Sequence, residues 1–191
     1  MESKEGGVFK IGIAKSLRKI YGIDILIKTF ALVLKQKPKR PIELHIAGEG
    51  EDKQEFKKIA VDMGVESKIK WHGFIPNNNL SNFYQEMSLA CFFSRAESFG
   101  VSAVEAMFTG TTVLCSRAEG FKEIVKDKET GMLVDVDEKN YVEAEKALLA
   151  CVNGEVDLEK MAIQAFKDVS QKYSWNKSIN DQIRQYEAIL Q

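Results

Sequence analysis

Ser94-Arg-Ala-Glu-Ser-Phe-Gly-Val-Ser-Ala-Val-Glu-Ala-Met107 joins a strand to a helix, and the rest of the chain is organised around it. The apolar run Leu89-Ala-Cys-Phe-Phe93 before it reads as a buried strand, and Val101 to Phe108 has the Ala, Val, Glu and Met character of a helix. The segment between them is then a turn at the carboxyl end of a strand, which is where open α/β sheets bind ligands. Gly100 permits close backbone approach, and the amides that open the helix, with the positive end of its dipole, suit a phosphate. Glu97 falls before the helix and Glu105 inside it, two carboxylates flanking one anion site. An ionised carboxylate accepts from two hydroxyls at once, the chemistry that sugar recognition needs. The same residues have a plainer reading. Ser102-Ala-Val-Glu105 fits a capping box, in which Glu105 only reaches back to the amide of Ser102. If the helix begins nearer Phe99 or Gly100, Glu105 lies in its second turn and cannot cap.

Working outward, strands and helices alternate. Strands are expected at Val8–Ala14, Ile42–Ala47, Lys68–His72, 89–93, Thr112–Cys115 and Gly131–Val134. Helices are expected from about Gly22 to Lys35, Glu51 to Met63, Asn79 to Met87, 101–108 and Glu119 to Val125. A further helix runs to Cys151 with Asp137 as its N-cap, and two more lie near 155–171 and 175–190. This alternation predicts a Rossmann-like α/β domain, a parallel six-stranded sheet with helices on both faces and right-handed crossovers. Residues 1–7 read as a polar leader, expected to be disordered, and 8–191 as one domain.

With 191 residues, 45% hydrophobic and 29% charged, the chain has the length and core of one globular domain. A net charge of −1 provides no global field for nucleic acid, and Lys35-Gln-Lys-Pro-Lys-Arg40 reads as a solvated loop, with membrane contact at most peripheral. Cys91, Cys115 and Cys151 are odd in number and lack metal-type spacing, which points to reduced core thiols in the cytoplasm, or at the inner face of its membrane at the furthest. Met1-Glu-Ser-Lys-Glu-Gly-Gly7 has no apolar core, so it is not a signal peptide, and no stretch reaches transmembrane length. His45 and His72 read as structural histidines, two distant rings that make no metal site.

Glu97-Ser-Phe-Gly-Val-Ser-Ala-Val-Glu-Ala-Met107 resembles the Glu-x7-Glu signature of the family 4 retaining glycosyltransferases, whose two-domain architecture is called GT-B. Lys15-Ser-Leu, Tyr21-Gly22 with Leu26-Ile-Lys-Thr-Phe30, Leu44-His-Ile-Ala-Gly-Glu-Gly50, Gly73-Phe-Ile-Pro76, and Glu123-Ile-Val with Thr130-Gly-Met-Leu-Val134 occupy that family's places in order. The resemblance runs from about Phe9 to the end, and it is to the carboxyl-terminal half of such an enzyme. It implies one half of a GT-B fold that binds a UDP-, GDP- or ADP-sugar donor. An amino-terminal acceptor domain would complete the enzyme, and 175–190 would be a helix crossing back toward it. It implies transfer of a hexosyl unit to a glycan or lipid-linked acceptor, as in polysaccharide assembly, with no metal and no cofactor.

The resemblance gives Glu97 the transferred sugar and Glu105 the ribose. It places the base near Phe74 and the backbone of Ile75, with Gly48 and Gly50 leaving room for the nucleotide. The family neutralises the diphosphate with an Arg and a Lys of its first βα loop, assisted by the amides that follow Glu-x-Phe-Gly, here Phe99, Gly100 and Val101. In this chain Ser16 and Tyr21 take the places of that Arg and Lys. Lys15 and Lys19, ahead of Arg18, are the candidates to replace them. The departure keeps two alternatives open: a non-catalytic GT-B-like interaction or regulatory module with a decayed phosphate site, and half of a sugar-nucleotide epimerase.

Overall fold

A computed structural model describes residues 7–137 and 141–173. Residues 1–6 of the expected leader at 1–7 and the expected helix at 175–190 lie outside the described residues.

Six parallel strands form one sheet in the order β3-β2-β1-β4-β5-β6. They are β1 (Phe9–Ala14), β2 (Ile42–Ala47), β3 (Ile69–Gly73), β4 (Leu89–Phe92), β5 (Val113–Ser116) and β6 (Met132–Val134). β1, β2, β4 and β5 are almost wholly buried, and β1, β4 and β5 are accordingly mostly apolar, whereas β2 alternates as Ile42-Glu-Leu-His-Ile46. The helices are α1 (Ile23–Lys35), α2 (Lys53–Asp62), α3 (Asn77–Gln85), α4 (Val101–Phe108), α5 (Glu119–Ile124), α6 (Val142–Val152) and α7 (Leu158–Lys172). α1 packs on α2 and α6, while α4 packs on α3 and α7, so both faces of the sheet are covered. The expected Rossmann-like sheet is the one observed, with boundaries moved by one to three residues in most elements.

The chain reverses its winding between β1 and β4, which pair directly with Ile11 beside Leu89 and Gly12 beside Ala90. The loops leaving the carboxyl ends of these two strands therefore diverge to opposite faces and open a crevice between them. The β1 loop is set by close backbone approach. A Cβ on Gly48 would lie 1.9 Å from the carbonyl oxygen of Lys15, and Gly48 has φ of 129°. Leu17 N in turn donates to Glu49 O at 3.0 Å. Both reasons require glycine at 48.

Three details differ from the sequence reading. α6 begins at Val142 with Tyr141 at its N-cap position, so Asp137 does not cap it. The cap is instead found one helix later, where Asp157 Oδ1 accepts from Lys160 N at 2.9 Å at the start of α7. The two histidines are not distant: His45 Nδ1 and His72 Nε2 are 3.0 Å apart on adjacent strands, with the rings stacked at 5.1 Å. Glu43 flanks the other nitrogen of His45 at 3.3 Å. No group of three or more His, Cys, Asp or Glu among the described residues is arranged to hold a metal ion. Cys91, Cys115 and Cys151 are free and buried, and burial pushes all three thiols up, Cys151 to about 12. No helix among the described residues is long and apolar enough to cross a membrane.

Candidate functional site

The crevice between the β1 and β4 loops brings Lys15 onto Glu97. Lys15 Nζ lies 2.8 Å from Glu97 Oε2, and both side chains are mostly buried. The hydroxyl of Ser94 donates to the same oxygen at 3.3 Å, and the ammonium of Lys15 stands 4.6 Å from the centroid of the Tyr21 ring. Two backbone contacts hold the Glu97 loop from behind. Ser94 O accepts from the buried hydroxyl of Ser116 at 2.7 Å, and Glu97 O accepts from Gly120 N at 3.0 Å. A Cβ at Gly120 would meet Phe99 N at 2.6 Å and Glu97 O at 2.7 Å, so α5 can approach this closely only because residue 120 is glycine.

α4 starts at Val101, with Gly100 before it in the left-handed region at φ 93°. Glu105 therefore sits in the second turn, beyond the reach of a capping box, and no described side chain caps this helix. Glu105 is half-buried, and its carboxylate accepts no hydrogen bond or ion pair among the described residues. Burial raises its pKa, with the charge of Lys15 pulling the other way. Tyr84 lies beneath, its hydroxyl donating to Ala14 O at 3.4 Å; burial and the charge of Glu105 push the phenol well up, so it remains a neutral donor.

The other expected site residues divide into two groups. Phe99 and Val101 stand exposed at the mouth, Phe99 edge-on to Tyr173 with centroids 5.4 Å apart. Gly48 and Ile75 follow β2 and β3 at the same end of the sheet, with Phe74 beside them 72% exposed. Lys19 turns away: its Nζ pairs with Glu55 of α2 at 2.8 Å, and its backbone N donates to Asp52. Arg18 likewise pairs with Glu51 at 2.9 Å. Of the three loop cations, only Lys15 reaches the carboxylate pair.

Sequence reading missed Arg95 and Asp24. Arg95 grips the buried Asp24 of α1 with two bonds of 2.9 and 2.7 Å, and its guanidinium also donates to Lys19 O. Its backbone N donates to Ile20 O at 2.8 Å, so the β4 loop is clamped to the β1 loop. The available signal was an acid inside the apolar stripe Ile23-Asp-Ile-Leu-Ile27.

A family profile described as glycosyl transferases group 1 matches residues 2–174. The chain belongs to the glycosyl transferases group 1 family. A D-inositol 3-phosphate glycosyltransferase of Corynebacterium urealyticum is 25% identical over 185 residues, 94% of this chain and 43% of its own length. The C-terminal domain of a glycosyl transferase group 1 family protein, LpcC, of Francisella tularensis superposes with a TM-score of 0.75 at 26% identity, covering 87% of each chain. HepE of Anabaena, solved with UDP and glucose, superposes with a TM-score of 0.81 at 23% identity, covering 94% of this chain and 48% of that one. The fold is thus one Rossmann-like half of the GT-B architecture. The chain spans less than half the length of the Corynebacterium urealyticum enzyme.

Proposed function

We propose that this group 1 domain is the donor-binding half of a retaining, family 4 type glycosyltransferase that moves a hexosyl unit from a nucleotide-diphospho-sugar to a glycan or lipid-linked acceptor. The observation that carries this is the placement of Glu97 and Glu105 on either side of the amino-terminus of α4, at the crevice where the sheet reverses. Glu97 would take hydroxyls of the transferred sugar, and Glu105, half-buried and without a partner among the described residues, the ribose. The opening amides of α4 and Lys15 would hold the diphosphate, the leaving group whose charge dominates such a transfer. The UDP in the HepE structure supports a uridine donor, with GDP and ADP as alternatives.

Transfer would need the acceptor domain, because positioning two substrates is the largest entropic contribution to such a step. The domain alone would then bind donor without transferring sugar, with no metal or cofactor, and the enzyme would work in the cytoplasm or at the inner face of its membrane. The test is thermal unfolding with UDP, GDP, ADP and their sugars, since a ligand selective for the native state raises Tm by mass action. One nucleotide should stabilise the wild type and fail to stabilise Glu105→Ala, whose own Tm stays near that of the wild type. A second reading, a non-catalytic module with a decayed phosphate site, draws on the ion pairs that hold Arg18 and Lys19 toward Glu51 and Glu55. It predicts no shift with any nucleotide, even after the acceptor domain is restored.

A further inference from the structure

The cations around the crevice are already matched by carboxylates, but not equivalently. The Arg18–Glu51 and Lys19–Glu55 pairs are exposed, with side chains 47–68% accessible, and pairs of this kind are weak and easily exchanged. The Lys15–Glu97 pair is different, with 12% and 10% of the side chains accessible at 2.8 Å. Neither group can lose the other without leaving a poorly solvated charge behind. Tyr21 lies against the ammonium and Ser94 against the carboxylate, so each side of the bridge has one further support and, among the described residues, no second ion pair.

The charge of Lys15 acts on Glu105 in the second turn of α4 as well as on Glu97 before it, so the ammonium faces the segment whose opening amides would hold an anion. We propose that Glu97 and the donor's diphosphate compete for Lys15, so that Lys15 couples leaving-group binding to release of the Glu97 carboxylate for the sugar. The proposal rests on the donor-site reading above. A nucleoside diphosphate without sugar takes Lys15 and strands Glu97 with Ser94 alone. A nucleotide sugar takes Lys15 and offers Glu97 hydroxyl donors in exchange. The sugar is therefore worth more in affinity than its own contacts, and the site discriminates against its free nucleotide product.

The decisive experiment is calorimetric titration of the 191-residue chain, at one ionic strength, with UDP, GDP, ADP and with UDP-glucose, GDP-mannose and ADP-glucose. The wild type, Glu97→Gln, Lys15→Met and the double variant are compared, with circular dichroism confirming the fold of each. Glu97→Gln frees Lys15 and should bind the sugar-free diphosphate about tenfold tighter than the wild type, a change of about 1.4 kcal/mol. That gain should vanish in the Lys15→Met background, and the preference for nucleotide sugar over nucleotide should shrink in Glu97→Gln. If Glu97→Gln does not fold, Glu97→Asp, which lengthens the bridge, should show the same ordering in smaller measure. Wild-type binding with equal or weaker binding by the Glu97 variant overturns the competition while the donor reading stands. No nucleotide bound by any of the four proteins overturns the donor reading, and the competition with it.

Discussion

Replacing Arg95 with leucine should destabilise the domain and loosen the β1 loop in one step. The substitution removes both bonds to Asp24, which is only 6% exposed, and the bond to Lys19 O. Deleting one partner of a buried ion pair costs about 3–5 kcal/mol, because the other charge stays behind without compensation. Two features of the structure lower that figure: the Arg95 side chain is 23% exposed, and Lys28 Nζ remains 4.0 Å from Asp24. A loss of about 2–3 kcal/mol at neutral pH is the result. The acid dependence has a definite sign. Burial pushes the Asp24 carboxyl up, but the Arg95 guanidinium, Lys28 and the Ile25 amide together pull it down by more, so it titrates below its ordinary 3.8. Its stabilisation is therefore present above 3.8 and is lost as the pH falls below that value. In Arg95→Leu the pull of the guanidinium is gone and the carboxyl titrates higher, so the gap between variant and wild type should narrow between pH 7 and pH 4. Urea unfolding of Arg95→Leu, Asp24→Asn and the double variant at both pH values measures this. At pH 7 the two single substitutions should couple by at least about 1 kcal/mol. A loss below about 0.5 kcal/mol, or a gap that does not change with pH, would refute the reasoning.

Gly120→Ala should push the Glu97–Phe99 loop off α5, because the new Cβ meets backbone atoms at 2.6–2.7 Å. We expect about 1–3 kcal/mol lost in chemical unfolding and weaker nucleotide binding, whereas Gly7→Ala, whose Cβ meets nothing within 4 Å, changes neither. Burial lowers the pKa of both His45 and His72, with Glu43 opposing the shift at His45 and Glu86 opposing it at His72, while Lys10 adds to it at both. The unfolded chain then takes up protons first, so stability should fall as the pH drops through 6.5, and His72→Gln should flatten that slope in thermal unfolding between pH 7 and 5.5.

The sheet was legible because its central strands are buried on both faces and carry mostly apolar residues, β4 as an unbroken apolar run; the crevice followed from the place of Glu97 and Glu105 around one helix start. Side-chain direction was not legible in the same way. Lys15 and Lys19 lie four residues apart on one loop and carry the same charge, yet one turns into the crevice and the other onto α2. What separates them is Glu55, a residue of another element that no spacing in the loop reveals. His45 and His72 meet because β2 and β3 pair as neighbours, a fact of sheet order and not of either segment. Asp24 and Arg95 are 71 positions apart, and although an acid in the apolar stripe of α1 calls for a partner, nothing local says that it is Arg95. The sequence therefore locates the carboxylates through local pattern, while their electrostatic state depends on partners brought by the fold. That distinction matters most at positions 16 and 21, where Ser16 and Tyr21 carry no positive charge. Lys15, drawn toward Glu97 and backed by the Tyr21 ring, puts a cation at the crevice from the neighbouring position. Tyr21 then serves the cation it does not carry, and a reading confined to residue identity counts it only as a loss.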